Sequence, residues 1–196
     1  MTVEEWLARQ EAASAAGIAA AVSASHLVHE RPGFGYRVSP AAGSVLASPV
    51  SAHWDPDPDY FYHWARDAGV AMMTAPVLRH ADPAWEGRFA QYVAFSLAIA
   101  RREGPAANPH RATTDAGHRK FLRDDDDLAA LRGDAILGEP RVNADGSADF
   151  ERWGRPQFDG PALRALSLFA WDGPETPQMS ELIGIDLAHV LAHAAA

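Results

Sequence analysis

The sequence predicts an all-α fold carrying one small β-hairpin, with long functional loops at one end of the helices. Three observations predict it. An alanine-rich N-terminal stretch follows a helix-start signal, apolar side chains recur at helical period between residues 82 and 104, and residues 104–160 hold Gly, Pro, Asn and Asp at frequent intervals with little periodicity.

Taken in order, Thr2 with Glu5 three residues on forms a capping box, and alanine, the best helix former, carries the first helix to about Ala21. Gly33 to Val38 and Ser44 to Ala47 are short extended runs around the Ser39-Pro40-Ala41-Ala42-Gly43 turn, which predicts a hairpin between them. A second helix is expected from near Trp64 to about Leu78, with Pro76 ending or kinking it. Asp82-Pro83 opens a third, whose Trp85, Phe89, Tyr92, Val93 and Leu97 keep helical period until Gly104-Pro105 stops it. Unstructured stretches as long as 104–160 are usually functional or disordered. Gly160-Pro161 starts a short helix to about Ala170. A last helix covers roughly Ser180 to Ala194, with Leu182, Ile183, Leu187, Val190 and Leu191 expected on one face.

Composition bounds the function. The 196 residues suffice for a single domain with a real core, and 47% hydrophobic with 22% charged residues is the balance of a folded protein. With 26 acidic against 17 basic side chains, the net charge of −9 repels nucleic acid and anionic lipid; a neutral partner such as a sugar is not repelled. No apolar run reaches the ~18 residues of a membrane span. No secretory signal is visible, so the chain reads as cytoplasmic by default or as one whose leader has been removed. The absence of cysteine excludes disulfides and thiolate metal sites. Six tryptophans and four tyrosines supply flat faces that suit sugar rings and cores alike.

Two segments carry chemistry. The strip from Asp57 to Asp67 is aromatic-rich and ends with Arg66 beside Asp67 at a helix start. The helix dipole favours an ionised Asp67, and a fixed carboxylate beside a fixed guanidinium accepts and donates hydrogen bonds as a clamp for vicinal hydroxyls needs. The same residues also fit a plain reading, in which Asp67 caps the helix, Arg66 pairs with a surface acid and the aromatics are core. The second segment runs from Leu137-Gly138-Glu139-Pro140-Arg141 to Trp153-Gly154-Arg155-Pro156-Gln157-Phe158-Asp159-Gly160-Pro161-Ala162-Leu163-Arg164. Its glycines turn the backbone and its prolines stiffen it, a suitable mount for a tryptophan that packs on a ligand, although such a loop can also merely cap a fold.

Together, Tyr60-Phe61-Tyr62-His63-Trp64-Ala65-Arg66-Asp67, Leu137-Gly138-Glu139-Pro140 and Trp153 to Arg164 resemble the motifs of glycoside hydrolase family 15, the glucoamylases, and Val45-Leu46-Ala47-Ser48-Pro49 resembles the segment before the strip. The resemblance covers nearly the whole chain. It implies part of an (α/α)6 barrel, residues 1–196 forming the N-terminal part of one catalytic domain that releases glucose from the non-reducing ends of α-glucans with inversion. It also implies that Arg66 and Asp67 hold the hydroxyls of the terminal glucose and that Tyr60 lies near the charge developing at its anomeric carbon. Trp64 would form pocket wall, Trp153 would pack on the sugar at the cleavage point, and Arg141, Arg155 and Gln157 would line or brace the loop.

Inverting hydrolysis needs a carboxyl acid and a carboxyl base about 6.5–9.5 Å apart. The resemblance places both glutamates beyond Ala196, and Glu139, Glu151, Glu175 and Glu181 stand in the wrong contexts to replace them, so no catalytic residue and no hydrolysis by the isolated chain are expected. The expected partner is an α-glucan or malto-oligosaccharide, with self-association through exposed helix faces. The rival readings are a non-catalytic glucan binder, a remnant, or a related activity on trehalose or dextran. No cofactor and no metal are expected. Asp124 to Asp127 lack the spacing of a calcium loop. His189 and His193, with Asp186 a turn earlier, lack the glutamate of a zinc-protease motif. His53, His63, His110 and His118 read as loop or surface histidines.

Overall fold

A computed structural model describes residues 1–50 and 59–194. Asp57, Pro58 and His53 of the sequence reading lie outside the described residues. Thr2 caps α1 (Val3–Ala21) through the full capping box: its hydroxyl accepts from the Glu5 N–H while the Glu5 carboxylate accepts from the Thr2 N–H. No residue of α1 is buried; the helix meets the core through the half-buried Ile18 and Ala19 of its last turns.

The hairpin lies one segment earlier than the sequence reading put it. β1 (His29–Arg31) pairs antiparallel with β2 (Tyr36–Val38), and the Phe34 and Gly35 N–H groups close the turn on the Arg31 carbonyl. Ser39–Gly43 is not its turn, because Ala41 N–H bonds the Ala144 carbonyl and Gly43 N–H bonds Ser23 Oγ. Val45 and Leu46 bridge instead to Val22 and His63. A second two-stranded sheet joins β3 (Tyr62–Trp64) to β4 (Arg141–Asn143), with Tyr62 opposite Asn143, His63 opposite Val142 and Trp64 opposite Arg141. This pairing ties the two chemistry-bearing segments together.

The expected second helix is two, α2 (Ala65–Met72) and α3 (Ala75–Ala81). Pro76 kinks neither, since it sits in the first turn of α3, where a missing N–H costs nothing. α4 (Ala84–Ala100) buries Trp85, Phe89, Tyr92, Val93 and Leu97 as its period predicts. The long loop holds a 3-10 turn (Arg119–Phe121) and two short helices, α5 (Asp125–Ala129) and α6 (Asp134–Leu137). α7 (Asp159–Ala170) and α8 (Pro177–His193) close the chain, and Thr176 caps α8 by accepting from the Met179 N–H.

α8 turns a different face inward from the one its aliphatic residues suggest. Met179, Leu182, Asp186 and His189 are buried, while Leu187 and Leu191 are exposed. The reason is charge pairing: Arg164 of α7 grips Asp186 through two bonds of 2.9 and 2.5 Å, and both side chains are buried. Burial raises the Asp186 carboxyl although Arg164 bonds it. The main core packs α4 against α7 and α8 around Phe89, Tyr92, Leu168 and Leu182, with Trp171 stacked on Phe89 at 4.0 Å. Among the described residues no helix is long and apolar enough to cross a membrane.

Candidate functional site

The site begins where α2 and α7 start side by side. Their approach depends on two glycines. A Cβ on Gly160 would lie 2.7 Å from the Ala65 Cβ, and one on Gly69 would lie 2.8 Å from the Leu163 backbone. Such separations are far below van der Waals contact, so only hydrogen at these positions lets the helices close. The two N-termini therefore meet, each with a carboxylate in its first turn, Asp67 on α2 and Asp159 on α7. Both acids face positive helix ends. Arg66 spans them, with Nη1 donating to Asp159 at 2.9 Å and Nε 3.6 Å from Asp67. The hydrogen bond to Asp159 raises the Arg66 guanidinium pKa. All three side chains are nearly half exposed, so the group is open to a ligand. Arg66 and Asp67 line a cleft of about 430 Å³ shared with Ile18, Ala47 and Pro49. Asp159 completes a cluster of which sequence reasoning named only Arg66 and Asp67.

β3 leads straight into this cluster, and its Trp64 is the centre of an aromatic group. Tyr60 and Trp64 have ring centroids 6.0 Å apart, and Trp153 meets Trp64 edge to face at 5.5 Å. Tyr60 is 44% and Trp153 38% exposed while Trp64 is buried, so the outer two rings present faces and the middle one holds them. The structure thus brings together Tyr60, Trp64 and Trp153, and separately Arg66 with Asp67. The chain from Trp64 through Ala65 to Arg66 joins the two groups. Trp153 also edges a second cleft, of about 640 Å³, with Glu139, Arg155 and Phe158.

The remaining predicted residues lie beneath this surface. Arg141, opposite Trp64 in the sheet, places its guanidinium 4.0 Å from the Tyr62 ring centre and 4.4 Å from that of Trp153. It bonds Asp149 at 2.8 Å and is buried. Arg155 bonds Asp149 at 2.6 Å and Glu139 at 2.9 Å. Gln157 donates to the Gly154 carbonyl at 3.3 Å, across the loop that carries Trp153. Arg123 grips Glu139 through two bonds of 2.7 and 3.0 Å.

The network continues to the hairpin. Tyr36 donates to Glu151 at 2.8 Å, and Arg31 bonds Asp59 at 2.8 Å and Asn143 at 2.9 Å. Burial alone would raise Asp59, but the hydrogen bond from His29 and the charge and bond of Arg31 bring it down to about 2. Burial raises Glu151, and the charge of Asp149 adds to the effect. Asp149 moves the other way, since Arg141 and Arg155 outweigh its burial. His63 is not a surface histidine. It is buried in β3, its Nδ1 accepts from the Val45 N–H at 3.0 Å, and burial followed by the charge of Arg164 lowers its pKa to about 3. Asp124 to Asp127 begin α5, where Asp124 pairs with Arg152 and Asp125 with Arg111.

Residues 35–193 match the family model described as Glycosyl hydrolases family 15. Glucoamylase S1 of Saccharomyces cerevisiae is 33% identical over 166 residues, which is 85% of this chain and 17% of that protein. The intracellular sporulation-specific glucoamylase of the same yeast is 32% identical over 85% of this chain and 24% of its own. The chain therefore spans about a fifth of the length of these relatives. The solved glucoamylase of Saccharomycopsis fibuligera superposes on all of this chain and 38% of its own with a TM-score of 0.67 at 22% identity, which places the helices in the fold of that enzyme.

Proposed function

The chain belongs to glycosyl hydrolases family 15, and from that premise we propose that its exposed aromatic and charged surface binds the terminal sugar of an α-glucan as one wall of a glucoamylase-type site. The observation that carries the reading is a pair of groups, the rings of Trp153, Trp64 and Tyr60 and the charges of Arg66, Asp67 and Asp159, joined by the two-residue step of backbone from Trp64 to Arg66. Flat rings suit the apolar faces of a pyranose, and an ionised carboxylate beside a guanidinium suits its vicinal hydroxyls. In the whole enzyme this wall serves the release of glucose from non-reducing ends with inversion.

The chain contributes binding rather than proton transfer. An inverting pair needs one carboxyl kept protonated near neutral pH and in reach of the glycosidic oxygen. Among the described residues the two carboxyls that burial raises, Glu151 and Asp186, are 1% and 0% exposed and pair with Tyr36 and Arg164. Asp149 and Glu139 are each held by two arginines. The exposed Asp67 and Asp159 sit against Arg66, where they suit the hydroxyls of a bound sugar.

Calorimetric titration with maltose, acarbose, trehalose and isomaltose tests the proposal. Binding of an α-1,4-linked sugar that falls at least tenfold in Trp153→Ala and in Asp67→Asn, with no glucose released above a blank, is the expected result. Equal affinity in both variants would place the sugar elsewhere. Glucose release abolished by Asp67→Ala would overturn the division between binding and catalysis.

A further inference from the structure

We propose that Asp134, His189 and His193 form a binding site for one zinc-class divalent ion at the rim of the cleft that Trp153 edges. The residue four positions on lies over its predecessor on a helix, so α8 brings the two imidazoles to one face with ring centres 4.5 Å apart. Asp186, the acid a turn earlier, is not available to them because Arg164 holds it. The third ligand comes instead from the first turn of α6, which packs on α8. Asp134 lies 55 residues before His189, and its Oδ1 is 2.5 Å from His189 Nδ1 while its Oδ2 is 2.8 Å from His193 Nε2. All three ligand atoms fall within 4.8 Å of one another.

The surroundings resemble a built site more than a chance surface meeting. His189 is wholly buried and forms the floor, with its Nδ1 turned to Asp134. Phe158 stacks on His193 at 4.2 Å and 13°, which fixes that ring's plane. Asp134 and His193 line the cleft of about 640 Å³, so a fourth coordination position opens towards it. Two imidazole nitrogens and one carboxylate oxygen are the donor set that zinc and its neighbours take, and calcium and magnesium take oxygens. Metal bonds of about 2.0–2.1 Å at tetrahedral angles separate ligand atoms by roughly 3.3 Å. The Asp134 carboxylate must then withdraw by less than about 1 Å from its present hydrogen bonds, which a 58% exposed side chain on a four-residue helix can do, and the two imidazole nitrogens must close to the same spacing from within 4.8 Å.

The whole chain, stripped with a chelator and titrated with Zn²⁺ in a calorimeter, provides the test. One ion per chain is expected, with intense visible absorption when Co²⁺ replaces zinc and a melting temperature that climbs with zinc concentration. His193→Ala and Asp134→Asn should each weaken binding at least tenfold, and His80→Ala, an exposed histidine elsewhere, should not. If His193→Ala fails to fold, the exposed Asp134 carries the test. Absence of saturable binding, wild-type affinity in Asp134→Asn, or a melting temperature that falls in that variant without responding to zinc in the wild type would overturn the proposal and leave only a histidine–carboxylate hydrogen-bond lock.

Discussion

Mild acid should destabilise this protein through one histidine. His63 sits in the strand that delivers Trp64 and Arg66 to the site, and its ring cannot take a second proton at Nδ1 without giving up the Val45 N–H. Burial, and after it the charge of Arg164, depresses its pKa from 6.5 to about 3. In the unfolded chain the ring titrates near its ordinary value, so below pH 6.5 the unfolded state binds the extra proton and the folded state does not. The stability this supplies is complete above the unfolded value and disappears as pH falls from 6.5 towards 3. The loss amounts to about 2 kcal/mol between pH 7 and 5 and approaches about 5 kcal/mol at the lower limit. Urea melts followed by circular dichroism at pH 7, 6 and 5 read it as a midpoint that drops by about 1 M over that range. The matched control is His63→Asn, whose amide oxygen replaces Nδ1 as acceptor and does not titrate. Its midpoint should fall much less between pH 7 and 5, since the other groups are common to both proteins. If variant and wild type lose the same amount, His63 is not the group that takes the proton and its burial has been misread.

Three further outcomes follow from the packing. Gly160→Ala sets a methyl 2.7 Å from the Ala65 Cβ, neither of which can rotate away, so thermal melts should show a loss of about 1–3 kcal/mol, and no loss would mean that α2 and α7 are not pinned there. Arg155→Met strips one partner each from the buried Asp149 and Glu139; a cost of about 3 kcal/mol is expected in denaturant melts, together with a change in the fluorescence of Trp153, whose carbonyl Arg155 also bonds. The exposed Leu166, Phe169, Leu187 and Leu191 should make the chain self-associate, seen as a concentration-dependent mass in light scattering that Phe169→Lys with Leu191→Lys reduces; a sharp monomer with cooperative unfolding counts against it.

What the sequence showed was what local chemistry decides. The capping box at Thr2 and Glu5 and the stripe on α4 need only neighbours within a turn or two, and both appear where the spacing puts them. The misplacements come from distant partners. The hairpin's outer strand is His29–Arg31, polar enough to read as loop, and it is held by Asp59, Asn143 and the Phe61 carbonyl. β4 becomes a strand because β3 lies beside it, 77 residues away in sequence at the pair Trp64 and Arg141. α8 faces inward through Asp186 and His189 because Arg164 and Asp134 wait there, which no hydrophobic period can announce. Of the candidate site, Arg66, Asp67, Trp64 and Trp153 were legible as motif residues, while Asp159 and Asp134 acquire meaning only once α2 meets α7 and α6 meets α8.

Burial divides the polar residues of this region into two jobs. Arg66, Asp67 and Asp159 keep nearly half their side-chain surface, so a sugar hydroxyl can replace water on them at little desolvation cost. Arg141, Asp149, Glu139 and Arg123 are buried and already bonded to one another; using any of them as a ligand would strand a charge, at a cost of several kcal/mol. Their work is mechanical. The Arg141 guanidinium lies against both Tyr62 and Trp153, and Arg155 ties the Trp153 carbonyl to Asp149 and Glu139, so the exposed indole is fixed from below in ring and backbone alike. A lysine at position 141 would keep the charge but lose the planar contact between two rings. Arg141→Lys should therefore weaken sugar binding through disorder of Trp153, whereas Arg66→Lys should weaken it through loss of a donor while the Trp153 fluorescence stays unchanged.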